Sequence, residues 1–309
     1  MSLLYFRPLL PLLASLALVA CFGRSRPASP IPPAVTRVEA VAPLKIGLAL
    51  GGGGARGFAH IGVIKMLEAS GIHVDVVAGT SAGSVVGALY ASGMNPFQLQ
   101  ETAFALDEAK IRDVRLFSGG LVQGQKLQDY INLLVHQLPI QDLPLPFAAV
   151  ATQLETGTRT VFVRGNTGQA VRASSSIPGV FEPVAINGKH YIDGGLVSPI
   201  PVDAARQLGA DFVIAVDISA QPSGTTPSGL ASIVGQSIVI MGRQLAAAET
   251  ARADVVIRPG TAGIASMDFT QKNQAILQGE KATLAAMPLI RQRLDAMRSA
   301  RQKAHAAGR

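Results

Sequence analysis

The chain has 309 residues, with 32 glycines, no tryptophan and only 5% aromatic side chains, a balance that suits close-packed βα units better than an aromatic-rich β-sandwich. Its 27 Lys and Arg against 20 Asp and Glu give a net charge of +7, which favours anionic partners, yet 48% of the chain is apolar. No basic stripe interleaved with aromatics is present, so nucleic acid is excluded as the expected partner and a membrane surface fits better.

Residues 1–20, "MSLLYFRPLLPLLASLALVA", hold one arginine, no acid and a 13-residue apolar stretch from Pro8 to Ala20. That length suits the core of a signal peptide and is short for a bilayer-spanning helix, which needs about 20 residues. Directly behind it stands Cys21, the only cysteine of the chain, in "LVAC". The sequence resembles a bacterial lipobox, whose cysteine becomes the lipidated first residue of the mature protein. Phe22, not Asp, follows, and by resemblance to Gram-negative lipoproteins this implies the outer membrane of the cell envelope. With no second cysteine, no disulfide is expected. Residues 21–44 carry prolines at 27, 30, 32, 33 and 43 and lack apolar periodicity, as an extended tether does.

The body begins with a short buried strand, Lys45 to Leu50, and a helical pattern from Ala55 to Ser70 that Gly71 ends. Val74 to Ala78 reads as a second strand and Ala82 to Ser92 as a second helix, stopped by Gly93. An amphipathic helix follows over Leu127 to Leu138. Strand-like runs come at "FAAVAT", "RTVFV", "DFVIAVD" and "DVVI", with "SAQPSGTTPSG" (219–229) as a surface loop. Helical patterns fill roughly 229–250 and 271–298. In the last segment six Lys and Arg face one Asp, consistent with a solvated terminal helix or with contact to an anionic membrane. Alternation of strand and helix implies an α/β fold with a mostly parallel central sheet, whose sites gather at the carboxyl ends of the strands. The expected division is 1–20, 21–44, a catalytic domain over 45–260, and a C-terminal helical segment with a basic tail over 261–309.

Two loops fall at those strand ends. "GGGGARG" (51–57) removes side chains from four successive positions, so that backbone amides can approach a ligand. A dinucleotide pyrophosphate, a nucleotide phosphate or a reaction oxyanion would fit. The dinucleotide fingerprint Gly52-x-Gly54-x-x-Gly57 lacks an acid at the end of the second strand, since Asp75 begins it, and no Gly-Lys-Ser/Thr follows for a P-loop. The oxyanion reading gains from "GTSAG" (79–83) on the next strand. There Ser81 would occupy a tight strand-to-helix elbow between Gly79 and Gly83 and project into a cleft. Gly52, Gly53 and Gly54 would then supply amides to a tetrahedral intermediate, worth about 3 kcal/mol each.

A base for Ser81 is less obvious. Of the five histidines, only His305 follows the later acids, and it lies among alanines and basic residues. His60 and His73 belong to the first helix and its following loop, and His190 to a hairpin. Asp193 ends a short strand before Gly194 and Gly195, which permit a sharp turn into the site; Asp217, ending "VIAVD", competes with it.

Together, "GGGGARG", "GTSAG" and "DGG", in that order and with "ASSSIPGVFEPV" before the last, resemble the patatin-like phospholipases, in particular the bacterial and neuropathy-target-esterase branch. The resemblance runs from about Leu48 to Asp217. It implies a three-layer sandwich with a single catalytic domain, Ser81 as nucleophile, Asp193 as its direct base, an oxyanion hole at Gly52 to Gly54, and Arg56 supporting that loop. It also implies hydrolysis of fatty-acyl esters of phospholipids, lysophospholipids or related lipids through an acyl-enzyme, with no cofactor and no metal. A lipid-binding envelope lipoprotein, or an acyltransferase on the same fold, is the alternative.

Overall fold

A computed structural model describes residues 42–106, 122–222 and 224–307. In chain order it contains β1 (Ile46–Leu50), α1 (Ala59–Ala69), β2 (Val76–Thr80), α2 (Ala82–Ala91), α3 (Pro96–Ala105), α4 (Gln125–Leu134), β3 (Phe147–Gln153) and β4 (Arg159–Phe162). There follow α5 (Thr167–Ser174), β5 (Val184–Ile186), β6 (Lys189–Asp193), α6 (Val202–Gln207), β7 (Phe212–Val216), α7 (Leu230–Thr250), β8 (Val255–Ile257) and α8 (Lys272–Ala307). The expected signal peptide, Cys21 and nearly all of the Pro-rich tether lie outside the described residues.

The sheet runs β5-β6-β3-β2-β1-β7-β8, with β4 on the other edge of β3. Strands β3, β2, β1, β7 and β8 are parallel, and β4, β6 and β5 extend the sheet in antiparallel fashion. The expected α/β fold with a mostly parallel sheet is the one observed. Because side chains alternate across a strand, β1 sends Leu48 and Leu50 to one layer and Ala49 to the other. The first layer packs α1, α2, α3, α4 and α8 over Val77, Phe147 and Ile214; the second packs α6 and the end of α7 over Ala78, Val150 and Val213. Three layers result.

Several boundaries differ from the sequence reading. β2 starts and ends two residues later than expected. Asp75 caps the strand start, its amide donating to Ile46 O and its Oδ2 accepting from Ile46 N, both at 2.7 Å. Gly79 and Thr80 are therefore strand residues, paired with Leu50 and Val150. The first helix is divided into a 3-10 turn over Gly54–Phe58 and then α1, because Gly54 takes φ 60° where the loop leaves β1. The amphipathic helix stops at Leu134, short of Leu138, where His136 and Gln137 turn to positive φ. Helix α3 went unread although "NPFQ" carries its start signal: Asn95 and Gln98 form a capping box around a proline at the first helical position.

The C-terminal segment is part of the body rather than an appendage. α8 continues to Ala307, and Gly62 and Gly279 let it press against α1: a Cβ on Gly279 would stand 2.0 Å from Ala59 O. Its basic residues are partly engaged, Arg293 with Asp254 O at 2.9 Å and Arg301 with Asp211 at 3.0 Å. Asp211 precedes β7 and bonds to Lys45 before β1, so Arg301 sits at the amino edge of the sheet. The contact between α1 and α8 gives a test. Gly279→Ala adds a methyl where backbone must move, which costs about 1–3 kcal/mol, and should lower the thermal midpoint by roughly 3–10 °C in a calorimetric scan. An unchanged midpoint would mean that α8 is not packed as described.

Candidate active site

The site is built on one edge of β3. β4 occupies the other edge along Ala149 to Thr152, so β2 and β6 must share the first. β2 runs up it until Thr80 faces Val150, and β6 runs down it until Asp193 faces Ala151. Two strands of opposite direction thus end on consecutive residues of a third. Ser81 and Asp193, 112 positions apart in sequence, meet there, with Ser81 Oγ donating to Asp193 Oδ2 at 2.6 Å.

Ser81 makes the elbow at φ 54°, ψ −124°, a conformation costing a non-glycine residue about 1–3 kcal/mol. Its surroundings hold it there. The Ser81 amide donates to Ser174 Oγ at 2.9 Å, and that hydroxyl donates to Val150 O; the Ser81 carbonyl accepts from the Ser84 amide and hydroxyl. The flanking glycines follow from close approach: a Cβ on Gly79 would lie 2.3 Å from Gly83 O, and one on Gly83 2.1 Å from Leu50 O. Gly57 passes Ala82 so closely that a Cβ would stand 2.6 Å from its methyl, and Gly194 passes Val150 O at 2.1 Å by the same measure.

Asp193 is 7% exposed, and burial pushes its carboxyl up to about 6, against hydrogen bonds from Ser81 and Gly195 that pull it down. The second oxygen, Oδ1, accepts the Gly195 amide at 2.7 Å. The backbone is fixed on both sides, its amide donating to Ser176 O and its carbonyl accepting from Thr152 Oγ1. Asp217 does not compete. Its carboxylate accepts from Ser219 N and pairs with Arg258 at 3.4 Å, beside a separate polar cleft of about 440 Å³ that contains no nucleophile paired to a base.

Among the described residues, the side chain against Ser81 Oγ is Asp193 rather than a histidine. His60 is fully buried, and desolvation brings its pKa down to about 4. A neutral ring facing a carbonyl must carry its proton on Nε2, which donates to Gly51 O at 2.8 Å, so the ring fixes the start of the glycine loop. His190 pairs with exposed Glu155 on the β5–β6 hairpin.

The glycine loop needs one correction. The Gly52 amide donates to Pro199 O at 2.9 Å, so it is committed to the fold and leaves the set of expected oxyanion donors. The amides of Gly53 and Gly54 make no such bond among the described residues, and Gly54 lines the same cavity as Ser81. Arg56 is buried; its Nε donates to Ile218 O at 2.8 Å and ties the loop to the chain just past β7. The cavity, about 140 Å³, is walled by Phe58, Val86, Leu127, Ile177, Phe181 and other apolar side chains.

A further residue escaped the sequence reading. Glu249, in the last turn of α7, is buried, with Ser198 Oγ donating to its Oε1 and Ile200 N to its Oε2 at 2.7 Å. Between those two contacts, Ser198 O accepts from Thr80 Oγ1 at 2.8 Å and Pro199 O from the Gly52 amide. One carboxylate therefore braces the segment that holds both the elbow and the glycine loop. Burial raises its pKa to about 7 despite those hydrogen bonds.

A serine on a strained strand-to-helix elbow of a parallel sheet is an arrangement that serine hydrolases use with a histidine against the hydroxyl; here the group against the hydroxyl is a carboxylate. Similarity narrows the class. A model described as patatin-like phospholipase matches residues 48–206, and the chain belongs to that family. An uncharacterized NTE family protein of Mycobacterium tuberculosis is 36% identical over 195 residues, 62% of this chain and 54% of its own length. Lysophospholipase NTE1 of Pyricularia oryzae is 35% identical over 203 residues, 62% of this chain and 14% of the fungal one. The chain thus spans about half the length of the mycobacterial relative and a small part of the fungal one. VipD from Legionella pneumophila has the same fold, with a TM-score of 0.60 at 16% identity over 83% of this chain and 68% of that one.

The brace yields a prediction. Glu249→Gln keeps an acceptor for Ser198 but turns an amide nitrogen toward the Ile200 donor, shifting the braced segment. Small misplacements at such sites cost up to about 100-fold. Phosphonylation of Ser81 by a fluorophosphonate should slow by about 10- to 100-fold while the circular dichroism spectrum is unchanged. Wild-type labelling rates would rule out a positioning role for Glu249.

Proposed function

We propose that the protein hydrolyses fatty-acyl esters of phospholipids or lysophospholipids through a Ser81–Asp193 dyad. The observation that carries this reading is the 2.6 Å hydrogen bond between a buried hydroxyl and a buried carboxylate at the wall of an apolar cavity. Family membership supports the lipid ester, and the name of the fungal relative supports a lysophospholipid among the substrates.

In the proposed reaction Asp193 takes the proton of Ser81 Oγ as that oxygen attacks the ester carbonyl. The carbonyl π electrons move onto the oxygen, which the Gly53 and Gly54 amides hold at the positive end of α2. Collapse of the intermediate expels the alcohol, protonated by Asp193, and leaves an acyl-serine. Water then repeats the sequence, giving its proton to Asp193 and releasing the fatty acid and free Ser81. The cavity would receive the acyl chain, since its lining is mostly apolar.

Ser81→Ala should lower kcat by about 10⁴-fold or more and abolish fluorophosphonate labelling. Asp193→Asn, which keeps the shape and cannot take a proton, should lose activity comparably. His60→Ala and His305→Ala should leave turnover measurable wherever the protein folds. Asp193 must be ionised to act, so kcat/KM should fall about tenfold per pH unit below a pKa near 6. A Ser81→Ala protein with full esterase activity, or an acid limb governed by a histidine, would overturn the dyad.

The proposal extends to location. With Cys21 lipidated after removal of residues 1–20, the enzyme would be held to the bacterial envelope at its outer membrane. Metabolic labelling with a fatty-acid analogue should mark the wild-type chain and not Cys21→Ala. An unlabelled wild-type protein would remove the anchor and leave the hydrolase reading standing.

A further inference from the structure

Among the described residues, the buried side chains of helix α7 lie toward its carboxyl end. Its last turns bury Ala246, Glu249 and Thr250, whereas residues 230–245 expose a run of large apolar side chains: Leu230 at 80%, Met241 at 58%, Ile233, Val234 and Ile240 at 49% each. Ile238 and Leu245 continue it. At about 100° per residue these seven side chains cover an arc of about 160°. A two-helix seam needs only a narrow a/d stripe, so the arc suits a continuous apolar medium better.

The size and charge of this face decide what covers it. Sixteen residues of one helix present roughly 24 Å by 10 Å, a few hundred Å², well short of the roughly 800 Å² per partner that a stable dimer buries. Between Asp217 and Glu249 there is no acidic residue, and Arg243 is the only charged one, on a chain of net charge +7. Arg243 lies on the opposite side of the helix, toward the cleft it shares with Arg258, and it makes no ion pair among the described residues. The polar groups near the stripe suit an interface. Ser237 bonds back to Ile233 O of the same helix, and Gln244, also within the arc, is placed for the headgroup level. No helix of the described residues is long and apolar enough to cross a membrane, which leaves a helix lying in the surface plane.

Position gives the face a purpose. α7 follows the carboxyl end of β7, which runs parallel to β1 and β2 and ends at the same edge as Ser81. The basic residue Arg301 of α8 lies at the opposite edge, beside the strand starts. We propose that the outward apolar face of α7 docks in the plane of an anionic lipid bilayer, with Arg243 and Arg258 at headgroup level, and so presents the site edge to membrane ester lipids. The purpose rests on the hydrolase reading; the docking itself does not.

The test uses the full chain carrying Cys21→Ala, so that neither a lipid anchor nor a second thiol contributes. A fluorophore sensitive to polarity is attached at Met241→Cys, and in a separate protein at Arg243→Cys. Vesicles of equal parts phosphatidylcholine and phosphatidylglycerol should shift the emission at position 241 to the blue, and spin-labelled acyl chains should quench it several-fold more than at position 243. Val234→Glu with Ile238→Glu should cut turnover of vesicle-borne phospholipid by about tenfold or more, while hydrolysis of a soluble short-chain ester stays within about twofold. Emission unaffected by vesicles would overturn the proposal, as would a blue shift that depends on protein concentration without lipid, the signature of a second copy. No activity on vesicle-borne or soluble esters in the chain without the two glutamates, with the label at position 241 still inserting, would count against the hydrolase reading and leave the docking intact.

Discussion

Everything in the site depends on one edge of β3 being shared by two strands that approach from opposite directions. A parallel strand ends where its crossover helix must begin, and an antiparallel hairpin strand ends where its chain must turn away. At β3 those two ends abut at Val150 and Ala151, so Thr80–Ser81 and Asp193–Gly194 are forced into contact without any side chain having to reach. The small residues of β3 and the glycines on both incoming ends are consequences. Backbone passes backbone at distances that leave no space for a Cβ, as Gly83 against Leu50 O and Gly194 against Val150 O demonstrate.

That placement has an electrostatic cost. Asp193 and Glu249 are both carboxyls whose folded-state pKa values burial raises, to about 6 and about 7. A carboxyl with a raised folded pKa is favoured in its protonated form, so the folded state binds more protons than the unfolded one between the ordinary carboxyl pKa and the raised one. Their contribution to stability is therefore present at low pH and lost as pH rises from about 4 toward 7. The base chemistry proposed for Asp193 would require the ionised form, the form that burial disfavours. The hydrogen bonds from Ser81 and Gly195 limit this cost, and they are also the ones that aim the carboxylate.

Much of this was legible in the sequence because its signals are local. The GTSAG elbow, the four glycines and the Asp-Gly-Gly turn each constrain only a few neighbouring residues, and hydrophobic runs of five marked the parallel strands. What stayed hidden was non-local. That Gly52 donates to Pro199 depends on residues 147 positions apart, and nothing in "GGGG" distinguishes a committed amide from a free one. Glu249 lies in an alanine-rich helical run, where an acid reads as a solvated face; only the packing of α7 reveals that it is buried. The two-residue offset of β2 has a similar origin. Glycine is a poor strand former, so Gly79 reads as loop, and its pairing with Leu50 is settled by the neighbouring strand.

The two faces of the sheet divide the work. The layer with α1 to α4 supplies the apolar walls that surround Ser81, while the opposite layer supplies the polar brace at Ser198 to Ile200. The brace is continuous: Glu249 holds the segment, the segment accepts from Thr80 and Gly52, and those two residues flank Ser81 and the rest of the glycine loop. Among the described residues, none of α7 lines the cavity. A displacement at the last turn of α7 therefore bears first on the aim of the serine and of the glycine amides, and leaves the volume open to an acyl chain nearly as it was. If the protein is the hydrolase proposed, aim would govern the transition state and volume would govern binding, and events on the α7 side would alter kcat with little change in affinity for the acyl chain.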